Sequence, residues 1–564
     1  MLSLQIDGKP VHLDNDFSFT LNLINPIFNA LTSYSYPFKM PNTPLNKAIL
    51  GFRHRIESTT DPYLQNPATF LWNGHILFSG VIFTQISDKD HFEGSIINDP
   101  FSFYNLAKNL LLTQIDMGSL DFDNEAEALS YFNSTGSGKF PQSAIAFPFL
   151  FNDEYLDPAT DNTQLKFIND WHTWDQSYRL MLLTESPHPG LRTNLVPMLY
   201  IQYIYTRIAK QLGYDLIDDL FTSHDDLSRL VLFNSLNCNN CQVGNRYFDV
   251  TKIDLNDHVP SIFISDFLTS IQNYFCSVTF IDGIKNKIRI VPIKNILLDP
   301  TYIEFSKNIT LVQTALEDHI FGYSLSMELD GDDDKLANLK ILDGNFAATV
   351  KGYVQNRIDL PAWPIGQIGD SYYVEDDQCY YFMDPTKNWQ NFYSAEWQLQ
   401  SQFMFKDAIK EPKQSTSSKL STLHMNVNAV DPNGNPINLC MECGNKLEDW
   451  KKIVPRLLFT IPKSYTLIDI HYNYTDSNNA TDNFSLFYPG AKGLFEKFWK
   501  EYLNFKVSAR LVKIEKQMSF AELANFDFSR KYRINGIKYL IKDIQVCIKK
   551  DTIQPAILEC YPCP

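Results

Sequence analysis

Three cysteine pairs in the 564-residue chain have the spacing of metal knuckles: Cys238/Cys241, Cys440/Cys443 and Cys560/Cys563. Zinc takes four soft ligands in a tetrahedron, and two such pairs can complete one. The stretches "NCNNCQVG" and "LCMECGNK" have the look of turns that could hold a metal, although the pairs stand roughly two to three hundred residues apart and lack the usual flanking glycines. The other reading is loop and buried thiols. An odd total of nine cysteines suits a reducing compartment better than a disulfide framework. Both readings stay open, and we assign no metal and no cofactor.

Other chemistry-bearing patterns fall short of their requirements. "STGSGK" ends in a Gly-Lys pair, but a phosphate loop needs glycine where Asn133 stands and Ser or Thr where Phe140 stands. "LDGDDDKL", residues 329–336, concentrates acid without the alternating aspartates and distal glutamate of a calcium hand, so it reads as a solvated loop. His172 and Asp175 in "WHTWDQ" lack a nucleophile to serve, and an aromatic packing patch is the simpler account. No two of the eleven histidines stand four residues apart. HExxH, GxSxG and GxGxxG do not occur. Carboxylates are plentiful, but a glycosidase pair meets only in three dimensions. We expect no enzyme and name no catalytic residue.

The charge balance is acidic, 49 basic against 65 acidic side chains for a net −16. This opposes a nucleic-acid grip, which needs clustered Lys and Arg, while suiting a surface that nucleic acid passes without sticking. No window approaches the apolar length of a membrane helix. "MLSLQIDGKPVHL" is not a secretory signal, so synthesis and folding in a cytoplasm are expected. The sequons at Asn473, Asn479 and Asn483 then mark a solvated loop.

The elements that would position any site are mostly strands. "LSLQIDGKPVHL" is a hairpin turning at Asp7-Gly8, and "ATFLWNGHILFSGVIF" is another turning at Asn73-Gly74. "DPFSFYNLAKNLLLTQI" has helical spacing. Residues 195–213 predict the clearest helix, with Pro197 in its first turn and Gly213 as its C-cap. A helix from Ser265 leads into a hairpin at Asp282-Gly283, and "LFEKFWKEYL" is an amphipathic helix. One plan occurs twice: a strand, an Asn-Gly turn (Asn73-Gly74, then Asn535-Gly536), a long strand, a charged turn and a third strand.

The predicted fold is α+β, predominantly β, and multi-domain, with two similar β-barrels flanking α+β and β-rich middle domains. The boundaries are 1–115 for the N-terminal barrel, 116–190 for an irregular insertion and 191–300 for an α+β middle domain. A β-rich region at 301–404 and a polar β-rich insertion at 405–490 follow, then a helix with C-terminal barrel hairpins at 491–564.

"YSYPFKMPNTPLNKAILGF" followed by "ATFLWNGHILFSGVIFTQI" resembles the N-terminal domain of tail-hub proteins of phages and prophages of Bacteroidetes-type bacteria, where a PF-x-x-P-x-T-x-x-N segment links two strands of a tube-forming barrel. "ISDFLTSIQNYFCSVTFIDGIKNKIRIVPIKNIL", "GLFEKFWKEYL" and "LANFDFSRKYRINGIKYLIKDI" continue it over about half the chain. The resemblance implies a baseplate hub in the virion tail, a homotrimer in which each chain contributes two tube-like barrels. Its quasi-six-fold ring would fit a tail tube or distal tail protein above and carry a spike or fibre protein below. A tape-measure protein would be a further partner, and DNA would pass through without specific binding; no membrane partner is implied.

Within the opening stretch, Pro37 and Pro41 remove backbone donors and hold Tyr36 and Met40 extended, limiting where another strand can add. A short helix from Leu45 to Leu50 can then lie over a barrel edge. Phe38, Pro41, Asn42 and Leu45 are therefore candidate assembly contacts, together with the turn residues Asn73, Gly74, Asn535 and Gly536. The competing account of the segment is a barrel-closing connection with no partner. For the whole chain the competing functions are a surface glycan-binding protein and a tail-associated cell-wall hydrolase.

Overall fold

The fold comes from a computed structural model. It describes chiefly residues 1–50, 66–148, 195–314 and 493–563, with short gaps, and isolated strand segments between 150 and 178, 322 and 326, and 371 and 485. Within these the chain is predominantly β with a few helices, as expected. It divides into two compact units, one of residues 1–106, 278–319 and 504–564, the other of 107–277 and 320–503. No helix among the described residues is long and apolar enough to cross a membrane.

Among the described residues, the first unit is built on one sheet of fourteen strands. In chain order they are β1 (Leu2–Ile6), β2 (Lys9–Pro10), β3 (Ser18–Ile24), β4 (Tyr34–Ser35), β5 (Phe38–Pro41), β6 (Asn66–Trp72), β7 (His75–Ile86) and β8 (His91–Asn98). Then come β9 (Ile303–Glu304), β10 (Ile309–Thr314), β11 (Val512–Lys516), β12 (Tyr532–Ile534), β13 (Ile537–Lys549) and β14 (Ala556–Pro562). Helix α1 is Pro44–Ile49 and α2 is Phe520–Ala524. The order is β2-β1-β6-β7-β8-β4-β3-β13-β14-β11-β10, with β5 also on β8 and β9 joined through β12 to β13.

Both Asn-Gly meanders form as antiparallel units. Asn73 and Gly74 have φ of 50° and 82°, and Asn535 and Gly536 have 50° and 85°. Positive φ at both central residues is the turn that matches the right-handed twist of paired strands, and asparagine and glycine adopt it at least cost. The sequence places these meanders in separate barrels; here they are adjacent parts of one sheet. The join is β3 on β13, antiparallel from Ser18 opposite Lys549 to Ile24 opposite Asp543. Among the described residues no pair links β2 to β10, and no closed barrel forms.

Alternation explains the join. Leu2, Leu4 and Ile6 of β1, Phe19 and Leu21 of β3, and Ile544, Val546 and Ile548 of β13 all point into one buried cluster. Period-two patterning turns every second side chain inward, so the N- and C-terminal segments each supply half of a core that neither could enclose alone. At its centre Phe19 stacks on Phe70 with centroids 3.8 Å apart, while Phe38 meets Phe17 edge-on at 5.7 Å and Phe70 at 5.3 Å. Gly94 on β8 makes room for this. A methyl there would come within 3.1 Å of Ile82 and Met40 and 3.3 Å of Phe38.

Polar side chains fix the irregular places. A bulge between Ile541 and Asp543 breaks the register of β13 on β14. Buried Asn25, just past β3, donates its amide to the Ile541 carbonyl at 2.7 Å, so the disrupted ladder is satisfied from the far end of the sequence. Thr43 caps α1 by accepting from the Asn46 amide at 3.2 Å, and Pro44 opens the helix where its missing donor costs nothing. Buried Asn46 then clasps the loop before β3: its Oδ1 accepts from His12 N, and its Nδ2 donates to the carbonyls of His12 and Pro41, all at 2.9 Å. Asn46→Ala strands these backbone groups and is expected to cost about 1–3 kcal/mol, read as a lower denaturation midpoint at unchanged slope.

The second unit is more helical. Ile201–Gln211 buries Ile201, Ile204, Tyr205 and Ile208 on one face, and Gly213 (φ 83°) follows its end as the sequence predicts. Its start differs. Residues Met198–Leu199 are strand, paired with Ile145–Ala146, so Pro197 lies outside the helix. Three buried asparagines hold the backbone just before that strand: Asn237 Oδ1 accepts from Leu195 N, Asn169 bonds both N and O of Val196, and Asn234 Nδ2 donates to Pro197 O. Inside the stretch expected to be irregular, Glu125–Thr135 is a helix. Asn124 starts it by accepting from Glu127 N at 3.0 Å, and Ala128 and Phe132 are buried. The helix Ile264–Tyr274 forms close to its predicted start. In the predicted helix at 494–503, a wide turn at Phe495–Trp499 leads into Lys500–Ser508.

Candidate assembly surface

The eight candidate contact residues are not brought to one place. Phe38 is 3% exposed and belongs to the aromatic core just described. Pro41 ends β5, which pairs within the chain on β8 from Phe38 opposite Gly94 to Pro41 opposite His91, and the Asn42 amide donates to Asp90 O. Leu45, by contrast, stands 52% exposed on α1. Asn73 and Gly74 are exposed at a hairpin tip, where His75 lies 6.1 Å from Phe520 of α2. Asn535 and Gly536 are exposed at a second tip, tied by Asn535 N to Ser306 Oγ at 3.0 Å.

The chemistry-bearing motifs sort as follows. Cys560 is buried in the core and bonds through Sγ to Val512 O at 3.3 Å, and burial raises its thiol pKa far out of reach. Burial likewise pushes Cys563 up to about 11. Without a metal, both thiols stay protonated near neutrality. Among the described residues no three His, Cys, Asp or Glu side chains converge as ligands. Cys440/Cys443, the acidic loop 329–336, most of the polar insertion 405–490, three residues of "STGSGK" and most of "WHTWDQ" lie outside the described residues.

Two features of the first unit escape sequence reading. The first is β10, "ITLVQT", which among the described residues pairs only with β11 and ends the sheet. Its residues Leu311 and Val312 are consecutive, so they point to opposite faces, yet they are 44% and 45% exposed. Ile557, two strands away in the row Leu311–Glu515–Ile557, is also 44% exposed. Natural edges are guarded by lysine, proline or bulges; β10 has a single bulge near Ile309 and no charge.

The second is a row of charge across β11, β14 and β13: Lys513, Glu559 and Asp543 stand opposite one another. Lys513 Nζ reaches Glu559 at 2.7 Å and Lys542 Nζ at 3.1 Å. Burial raises the Glu559 pKa, but the two lysines outweigh it and hold the carboxyl below its ordinary range. Asp543 goes the other way. Burial, followed by the facing Glu559 charge, pushes it up to about 6.

A carboxyl raised on folding holds its proton more tightly in the native state, so its contribution is complete below about pH 4 and is lost as pH rises through about 6. The shift from 3.8 to about 6, at about 1.4 kcal/mol per unit and discounted for partial exposure, leaves about 1–2 kcal/mol. Asp543→Asn should therefore match the native chain near pH 4 and exceed it by that amount near pH 7. Urea denaturation at the two pH values checks this. Asp218 in the second unit, raised by burial to about 6 and present in both proteins, cancels from the difference.

No protein-family model matches this chain, and no curated protein does. Solved structures similar to it include a tail protein of prophage MuSo2 from Shewanella oneidensis (7% identity, TM-score 0.32, 99% of this chain and 97% of that one). A tail protein from Neisseria meningitidis gives 7%, 0.33, 99% and 95%, and a prophage tail protein from Listeria monocytogenes 6%, 0.32, 99% and 94%. Scores of this size do not establish a shared fold.

Proposed function

We propose that this chain is a structural component of a phage tail tip or baseplate hub. Three copies form a ring that joins a six-fold tail tube to a three-fold spike or fibre and surrounds the DNA conduit. The two Asn-Gly meanders of each chain serve as two tube-like wall segments, so three chains supply six. No catalytic step is part of this role.

The observation that carries the reading is β10, the edge strand among the described residues, which has no charge and exposes Leu311 and Val312 on opposite faces, in a chain whose opening residues resemble those of tail hubs. An edge of this kind is a hazard in a monomer and a joint in an assembly. The net charge of −16 supports the conduit, because a wall that repels phosphate lets DNA slide past. Light scattering on the purified chain, alone and mixed with the tube protein of the same particle, tests the proposal. Three copies per complex are expected in at least the mixture; a single copy in both overturns it.

A further inference from the structure

The hairpin tip at Asn535-Gly536 carries an arrangement that the fold does not require. Arg533 on β12 and Lys538 on β13 are directly opposite one another across the turn. Like charges in that position repel. Neither meets a carboxylate among the described residues. Of the near acids, Asp299 receives Arg530 at 3.5 Å, and Glu304, directly beside Arg533 on β9, accepts from Ser306 Oγ and keeps its charge next to that arginine without forming an ion pair.

Both cations instead lie over the ring of Tyr302. The Arg533 guanidinium is 5.2 Å from its centroid and the Lys538 ammonium 6.0 Å, and Arg533 Nη1 donates to the Tyr302 hydroxyl at 2.8 Å. Tyr302 is itself 42% exposed. The related hairpin at Asn73-Gly74 has the same turn and puts Leu71 opposite Ile76 in place of the two cations. The charges therefore answer to something other than turn geometry.

We propose that Arg533, Lys538 and the Tyr302 ring form a docking site for an acidic segment of a protein partner, with both cations converging on one carboxylate and the ring covering the methylenes behind it. The observations favour a peptide carboxylate over nucleic acid. Grip on a phosphate backbone needs several cations acting together, and this site offers two on a chain of net charge −16. One carboxylate between an arginine fork and an ammonium is matched in charge and geometry. This site does not depend on the tail reading.

The test uses the full chain and the Arg533→Gln/Lys538→Gln double variant, with a fluorescein-labelled deca-glutamate peptide and a labelled twenty-thymidine oligonucleotide as probes in anisotropy titrations at low salt. The peptide is expected to bind the native chain, to weaken as salt rises, and to lose about tenfold or more in affinity in the double variant. The oligonucleotide should bind neither protein. Peptide binding that is absent or equal in the two proteins overturns the proposal. Oligonucleotide binding that the double variant abolishes overturns it in favour of phosphate.

Discussion

Replacing Phe38 with alanine is expected to destabilise the first unit by about 3–5 kcal/mol, the usual cost of emptying an aromatic site in a packed core. Its ring touches three others, Phe17, Phe19 and Phe70, and β5 is held along its edge by the backbone of β8, where Gly94 lies opposite Phe38. Little can collapse into the hole, because Phe19 and Phe70 are already stacked on each other. A domain is stable by about 5–15 kcal/mol in all, so this one change takes a large share. Phe38→Asp is harsher, since it adds an unpaired charge to the same site. Leu45→Ala, seven positions along and half exposed, should stay within about 0.5 kcal/mol. Hydrogen exchange in β13 and β14 reports on this unit directly. Loss of protection in the Phe38 variant with none in the Leu45 variant is the expected outcome; equal protection in both would mean that the aromatic core is not what holds the sheet.

The contrast between those two residues shows what a sequence can say. Both sit in one stretch with the composition of a contact, and nothing local distinguishes an inward phenylalanine from an outward leucine. Local chemistry was legible where it decides alone: the two Asn-Gly turns adopt positive φ because few other residues do so cheaply. The predominance of strand followed from alternation, and the helix ending at Gly213 from its cap. The beginning of that helix was not legible, because Asn169, Asn234 and Asn237 reach it from distant positions. Nor was the pairing of β3 with β13, more than about five hundred residues apart, whose register is chosen by a common core. The opposed Asp543 and Glu559 depend on that register too. The exposed state of β10 depends on its having, among the described residues, β11 as its one neighbour, a property of the sheet and not of "ITLVQT".

Converting Leu311 and Val312 together to lysine is expected to abolish the proposed three-copy assembly while leaving the chain folded. Lysine on an edge strand is the device by which natural sheets prevent another strand from adding, because pairing would bury its ammonium against a neighbour. At 44% and 45% exposure the two side chains contribute little to the core, and surface changes of this kind stay within about 0.5 kcal/mol each. The loss in assembly is much larger. A joined edge removes both apolar side chains from water in every subunit, and an ammonium at position 312, opposite Ile514, would be buried with no carboxylate in its pair. The edge itself remains intact toward β11, whose partners Glu515 and Ile514 face the two substituted positions. Light scattering on the double variant with the tube protein should therefore give single copies, at a denaturation midpoint close to the native one. If the variant still assembles in threes, β10 is not the joint, and the exposed Leu45 on α1 becomes the place to look.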